Sequence, residues 1–257
     1  MSYLVGGSGN PLVLVHGIGL SSFTWRLNWE ALGEHARLFV PDLLSISSKA
    51  KLDCSLEGYA ARLKEFLDAT NIDQTDIVAS SHGGAVALAL AATARERLRS
   101  LVLVSPANPF ARRYHRMVQF YLGTLGGIFL RCAPFLPGPF WDYGIARMYA
   151  DRARLVRGRG IGYARPLRKR GATRRVLSTL RSFINDLDRL RDKLPVVAQI
   201  PTLLVWGDRD PVVEIESAEP LRQVLHAKLA IIPNTGHLPY EEAPEEFNRI
   251  ILDFLAQ

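Results

Sequence analysis

The sequence predicts an α/β fold: a mostly parallel, doubly wound central sheet of about seven strands, with a helical insertion. Three observations predict it. Short runs of Val, Leu and Ile recur as continuous apolar stretches rather than alternating ones, the pattern of strands buried on both faces. Helical periodicity fills the gaps between them. The alternation stops near Ala107 and resumes near Ile200, and the segment between is helix-rich and basic.

The strand runs are Leu12–Val15, Arg37–Val40, Asp76–Ser80, Ser100–Ser105, Thr202–Trp206 and Leu229–Ile232, with Tyr3–Val5 as a short edge strand. Ser55 is placed to cap a helix whose stripe is Tyr59, Leu63, Phe66 and Leu67. Ala85 to Leu98 is apolar nearly all round, so a buried helix is expected there. Pro244 suits a first helical position, followed by two acids and the stripe Phe247, Ile250, Ile251, Phe254 and Leu255. Pro134, Pro137, Pro139 and Gly158–Gly162 break the middle segment. The expected organisation is a core of residues 1–108 and 198–257, with residues 109–197 inserted as a helical unit.

A chain of 257 residues with 48% hydrophobic and 22% charged side chains can bury one large core, which excludes disordered and low-complexity scaffolds. The mean hydropathy of +0.05 fits a large buried sheet. No stretch reaches the roughly 20 apolar residues of a membrane span; the longest, Met117 to Leu130, is short and interrupted. No basic, apolar leader precedes the first strands, and a cytoplasmic location is expected. Cys54 and Cys132 stand far apart without metal-ligand spacing and read as small apolar filler.

Charge is uneven. Between Arg112 and Lys193 lie 19 Lys/Arg against 5 Asp/Glu, so this segment carries +14 of the net +7 and the rest carries −7. A solvated arginine-rich surface explains this, as does a face for acidic substrates or weak contact with an anionic membrane. No nucleic-acid motif accompanies the arginines, so nucleic acid is not an expected partner.

Chemistry concentrates at the ends of the strand runs. Ala79-Ser80-Ser81-His82-Gly83-Gly84 follows a strand and opens a helix, a variant of the G-x-S-x-G turn with Ala79 in place of the first glycine. Only Ser81 has the correct offset to Gly83. The plainer alternative is a β–α turn with a serine cap. Trp206-Gly207-Asp208-Arg209-Asp210-Pro211 follows another strand, and Asn234-Thr235-Gly236-His237 a third. A serine, an aspartate and a histidine thus gather at strand ends, where doubly wound sheets bind ligands. Serine becomes a nucleophile when a base takes its proton, and the imidazole needs an acid to fix its tautomer. Asp210 is preferred to Asp208 for that acid, although Asp210-Pro211 could serve only as a turn. His16-Gly17-Ile18-Gly19 is a glycine-rich loop after a strand. The backbone N–H groups of Ile18 and His82 are expected to form an oxyanion hole, with His16 bracing the loop.

With these motifs in hand, the chain resembles the alpha/beta-hydrolase superfamily. The resemblance rests on Pro11-Leu-Val-Leu-Val-His-Gly, the turn at Ser81, Gly207-Asp-Arg-Asp-Pro and Gly236-His237, and spans about two thirds of the chain. It implies a serine hydrolase whose catalytic residues are Ser81, Asp210 and His237, in the family's chain order. It also implies that residues 109–197 are a cap, and that no metal or organic cofactor is needed. Two departures are visible. Pro41 to Ser48 lacks the glycine many relatives carry after Pro-Asp, and the family's usual first strand is missing. Serine at the apex argues against the aspartate-dependent dehalogenase-like and epoxide-hydrolase-like branches. Apolar residues of the insertion (Phe120, Tyr121, Leu122, Ile128, Phe129, Leu130, Phe135, Leu136, Phe140 and Trp141) form its own core, an acyl pocket or a lipid-facing patch. The preferred expectation is hydrolysis of an ester or thioester of an apolar acyl substrate, a carboxylic ester hydrolase. C–C bond hydrolysis of the meta-cleavage type, with an insertion arginine holding an anionic dienoate, and a non-turnover ligand receptor are the alternatives. Oligomeric state is not specified by the sequence.

Overall fold

The computed structural model describes residues 1–44 and 53–257. Seven strands, β1 (Tyr3–Gly6), β2 (Pro11–Val15), β3 (Arg37–Pro41), β4 (Thr75–Ser80), β5 (Leu98–Val104), β6 (Thr202–Gly207) and β7 (Lys228–Ile232), form one sheet. Their order is β1-β3-β2-β4-β5-β6-β7. β1 runs antiparallel to β3, and every other pairing is parallel. The helices are α1 (Trp29–Gly33), α2 (Leu56–Ala69), α3 (His82–Thr93), α4 (Tyr114–Leu122), α5 (Thr124–Cys132), α6 (Gly138–Ala146), α7 (Ile161–Leu167), α8 (Ala172–Arg191), α9 (Leu194–Val197), α10 (Ala218–Leu225), α11 (Pro239–Glu242) and α12 (Pro244–Leu255).

The continuous apolar strands have a direct physical consequence. Successive side chains point to opposite faces of a strand, so Val13 and Val15 of β2 enter one core while Leu12 and Leu14 enter another. The first core receives Ile77, Ala79, Leu101, Leu103, Leu204 and Trp206 from the sheet and is covered by α2, α3, α8 and α10. The second receives Val78, Val102, Val104, Leu203 and Val205, covered by α12 with Trp25 and Tyr240. Each buried aliphatic side chain contributes about 1.5–3 kcal/mol relative to exposure. A polar residue in β4 or β5 would therefore be costly whichever face it met.

Local signals place the helix ends. The Ser55 hydroxyl accepts from Gly58 N at 3.1 Å and starts α2. Pro244 occupies the first turn of α12. The apolar run from Ala85 does not remain helical to Leu98. α3 ends at Thr93, a 3₁₀ turn covers Arg95–Arg97, and Leu98 already belongs to β5. The exposed charged residues Arg95 and Glu96 stand in that turn and separate the buried helix from the strand. Ser105 likewise leaves the strand, turning at φ +41°. Cys54 is buried as expected of filler, but Cys132 is exposed at the end of α5. The second half of the Pro41–Ser48 loop lies outside the described residues. Its first half is anchored by Asp42, which accepts from Ser22 N at 2.7 Å.

Between β5 and β6 the chain is helical from α4 to α9, with no strand among the described residues. Met117 to Leu130 divides into α4 and α5 at Gly123, and no described helix is long and apolar enough to cross a membrane. The buried side chains of this segment enter both cores, Leu180, Phe183 and Leu187 the first and Ile145, Tyr149 and Tyr163 the second.

Candidate active site

Ser81 occupies the turn between β4 and α3 at φ +54°, ψ −122°. This conformation is costly for a residue with a Cβ and is characteristic of a strained apex. The turn is held from several sides. Ser81 N donates to Val104 O at 2.9 Å, and Ser81 O accepts from Gly84 N and Ala107 N. A Cβ on Gly83 would stand 2.6 Å from His16 O, and one on Gly84 would stand 2.6 Å from Pro106 Cβ. The small residues of the motif thus let α3 start hard against β2 and the turn after β5.

The His16–Gly19 loop lies against the serine: a Cβ on Gly17 would meet Ser81 Cβ at 3.2 Å. Gly19 has φ +73°, which favours glycine. His16 is buried with both ring nitrogens in use, Nε2 accepting from Leu43 N at 3.0 Å and Nδ1 donating to Gly17 O at 2.8 Å. It is therefore a neutral clamp between this loop and the segment after β3. The N–H groups of Ile18 and His82 donate to no acceptor among the described residues. That of His82 opens α3, where the helix dipole favours negative charge.

The His82 ring packs between Tyr59 and Phe183, and its buried Nε2 has no partner among the described residues. Burial, reinforced by neighbouring His16, lowers its pKa from 6.5 to about 3. Between those values the unfolded chain binds a proton that the folded chain refuses, so stability falls as pH drops below 6.5. At about pH 5 the expected loss is about 2 kcal/mol from this residue. Urea unfolding at neutral and mildly acidic pH measures it, and His82→Gln should flatten the dependence.

Asp210 and His237 meet. His237 Nδ1 stands 2.8 Å from Asp210 Oδ2, with both side chains buried. The other carboxylate oxygen, Oδ1, accepts from Val212 N at 2.7 Å and Val213 N at 3.0 Å. Asp210 therefore serves the Asp-Pro turn and the histidine together. Asp208 is exposed and holds the loop, accepting from Thr235 N at 3.3 Å. Ser81 Oγ and His237 Nε2 make no hydrogen bond among the described residues. Ser81, Asp210 and His237 follow β4, β6 and β7 at the carboxyl edge of the sheet. Beside Ser81, a small cavity of about 10 Å³ is lined by His16, Gly17, Ile18, Gly19, Leu43, Leu44, Tyr59 and His82.

Sequence reasoning missed the supports of the histidine loop. A Cβ on Gly236 would meet Met148 O at 2.4 Å, and one on Gly207 would meet Gly236 O at 2.2 Å, so three backbones stack closely. His237 N donates to Met148 O at 2.8 Å. Buried Glu242 accepts from the backbone N–H groups of Gly236, Ala150 and Asp151. Burial pushes its carboxyl above the ordinary range, although those three donors pull it down. Glu241 takes Arg26, Tyr149 and Tyr163 on one carboxylate, tying residues 149–163 to the core. The available signal was an acid pair in an apolar run, Leu238-Pro-Tyr-Glu-Glu-Ala-Pro. Such carboxylates are buried only when paired. Glu242→Gln leaves the three donors a neutral, half-suited acceptor. Its unfolding free energy should fall by about 1–2 kcal/mol in urea titration.

Known proteins share this fold. Residues 10–244 match the family model described as alpha/beta hydrolase fold. This chain belongs to the alpha/beta hydrolase fold family. A dihydrolipoyllysine-residue acetyltransferase component of an acetoin cleaving system from Pseudomonas putida is 30% identical over 98% of the chain, which spans 65% of that relative's length. Lipase 3 of a Moraxella species is 29% identical over 93% of the chain and 75% of its own length. A 2-hydroxy-6-oxo-2,4-heptadienoate hydrolase of Pseudomonas putida is 27% identical over 97% of the chain and 90% of its own. Among solved structures, a meta-cleavage product hydrolase from Pseudomonas fluorescens superposes with a TM-score of 0.82 at 21% identity, covering 99% of this chain and 93% of that one. The alpha/beta-hydrolase family member therefore has the sheet its sequence predicts, with lipases and C–C bond hydrolases among its relatives.

Proposed function

We propose that this chain is a serine hydrolase cleaving an ester or thioester of an apolar acyl substrate. The observation that carries the reading is the buried His237–Asp210 contact, on the sheet edge where Ser81 forms its strained turn. Asp210 Oδ2 accepts a hydrogen bond from His237 Nδ1–H and so fixes the tautomer in which Nε2 is unprotonated and able to accept the Ser81 proton. Ser81 Oγ attacks the carbonyl carbon, and the oxyanion is met by the N–H groups of Ile18 and His82, each such donor being worth about 3–4 kcal/mol in the transition state. His237 returns the proton to the leaving group. Water, deprotonated by the same imidazole, then attacks the acyl carbon; the C–Oγ bond breaks, the acid leaves and His237 returns the proton to Ser81 Oγ. The Ser81–His237 hydrogen bond forms with substrate in place, since such bonds are often long in free enzymes. Residues 109–197 act as the cap that encloses the acyl group, in a cytoplasmic monomer or oligomer that needs no cofactor.

A second reading, hydrolysis of a C–C bond in an anionic dienoate, is favoured by one feature. Arg175 of α8 reaches Leu44 O at 2.9 Å, and its buried Nε has no partner among the described residues. Leu44 and Tyr59, which the arginine approaches, both line the cavity beside Ser81. A fluorophosphonate probe followed by a 4-nitrophenyl ester chain-length series tests the first reading. Labelling with multiple turnover, rising with chain length, is the expected result. Turnover of a ring-opened dienoate without ester turnover selects the second. Labelling without turnover of either class leaves a ligand receptor.

A further inference from the structure

The α4–α6 face carries apolar side chains that the protein itself does not cover. Leu125 is 79% exposed and Phe135 72%, while Phe120 and Ile128 are more than half exposed. Phe120 belongs to a continuous row of rings, and Leu125 and Ile128 share α5 with its member Phe129. Phe120 packs on Tyr121, Tyr121 on Phe129 and Phe129 on Phe140, with centroids 5.3, 6.4 and 5.8 Å apart, so one aromatic ridge crosses all three helices. A contiguous exposed patch of this kind marks an interaction surface.

The charge around it identifies the partner. Arg116 lies one helical turn from Phe120, Arg131 one turn from Ile128, and Arg147 stands over the exposed Tyr143 ring. From Arg112 to Arg181 there are sixteen Lys/Arg and two Asp, and all but Arg175 of the basic residues are exposed. A second copy of this face would set arginine against arginine, which like-charge repulsion disfavours. An anionic lipid surface answers both features, because apolar side chains enter the headgroup region while arginines remain at phosphate level. With nine residues each, α4 and α5 are about 13 Å long and can lie in that interface but not cross it.

We infer that the α4–α6 face docks on an anionic bilayer surface, with the aromatic ridge in the headgroup region and the arginines on the lipid phosphates. The same helical segment stands against the candidate active site, where Leu167 of α7 meets Gly19 and Phe183 of α8 meets His82.

Vesicle co-sedimentation of the whole chain tests this independently of any turnover. Vesicles of phosphatidylcholine with about one third phosphatidylglycerol should bind the protein, and pure phosphatidylcholine should not. Raising salt from about 0.1 M to about 1 M, which shortens the screening length from about 10 to 3 Å, should weaken binding at least tenfold. Leu125→Glu with Phe135→Glu should lower binding by a further order of magnitude, with thermal melting and fluorophosphonate labelling unchanged. Arg116→Gln with Arg131→Gln should lower it severalfold. The inference is overturned if anionic vesicles leave the protein in solution, or if the double glutamate variant binds as the wild type does. It is equally overturned if sedimentation velocity shows a dimer that this variant dissolves while vesicle binding is absent.

Discussion

Ser81→Ala is expected to lower kcat/KM on a 4-nitrophenyl ester by about 10⁴–10⁶-fold, the range seen when a triad nucleophile is removed and the rest of the site remains. The same variant should fold normally. Ser81 Oγ makes no hydrogen bond among the described residues, so its loss leaves no buried partner unsatisfied. Alanine also inherits the apex conformation with the same Cβ, and the strain is therefore conserved rather than relieved. Unfolding free energy should stay within about 0.5 kcal/mol of wild type. Fluorophosphonate labelling should vanish, because the probe needs the hydroxyl. The two measurements together separate a lost nucleophile from a lost fold. Ester turnover surviving at more than about one part in a hundred in pure protein would remove Ser81 from the nucleophile role. The second reading makes the same serine essential on a dienoate, so the substrate that loses turnover also distinguishes the reactions.

The sheet was legible because buried parallel strands leave an unmistakable trace. Leu12–Val15 and Leu101–Val104 are apolar at every position, since each face of the sheet has its own core. The seven strands follow the expected runs to within two residues at either end. The end of α3 was overrun for a different reason: the charged turn Arg95–Arg97, which separates helix from strand, also fits a last helical turn. Candidate residues were legible where chemistry and turn geometry coincide. Gly83 is needed for close approach to β2, Gly19 for its positive φ and Asp210 for its turn. The residues that support the histidine loop were not, because their partners are distant in sequence. Glu242 acts on the backbone of Ala150, and Glu241 gathers Arg26, Tyr149 and Tyr163. Spacing along one chain gives no sign of such contacts. The insertion was legible as helical and basic, but not which of its apolar residues would be covered. Leu130 is buried, while Leu125, five positions earlier, is the most exposed large apolar residue among the described residues.

Asp210→Asn is expected to lower kcat by about 10⁴-fold, and the hydrogen bonds around it explain why this isosteric change is not mild. Asp210 has two tasks, one per oxygen. Oδ1 accepts from Val212 N and Val213 N, and Oδ2 accepts from His237 Nδ1. Asparagine has one oxygen. If that oxygen remains on the two backbone donors, the amide group faces His237 and donates to Nδ1. The ring proton must then sit on Nε2, the atom that has to accept from serine. If the amide turns over instead, its N–H groups confront two buried N–H donors, which costs roughly 1–3 kcal/mol for the unsatisfied groups. The first arrangement is the cheaper, so the variant stays folded in the wrong tautomer. Proton NMR should show the His237 Nδ1–H resonance lost, and urea unfolding should change little. Asp208→Asn is the control, because Asp208 is exposed and, among the described residues, accepts from Thr235 N alone. It should cost less than about tenfold, a positional effect on the loop before His237. If the Asp208 variant proves the more damaging, the acid role passes to Asp208, and the buried 2.8 Å contact of Asp210 must be explained as support for the turn.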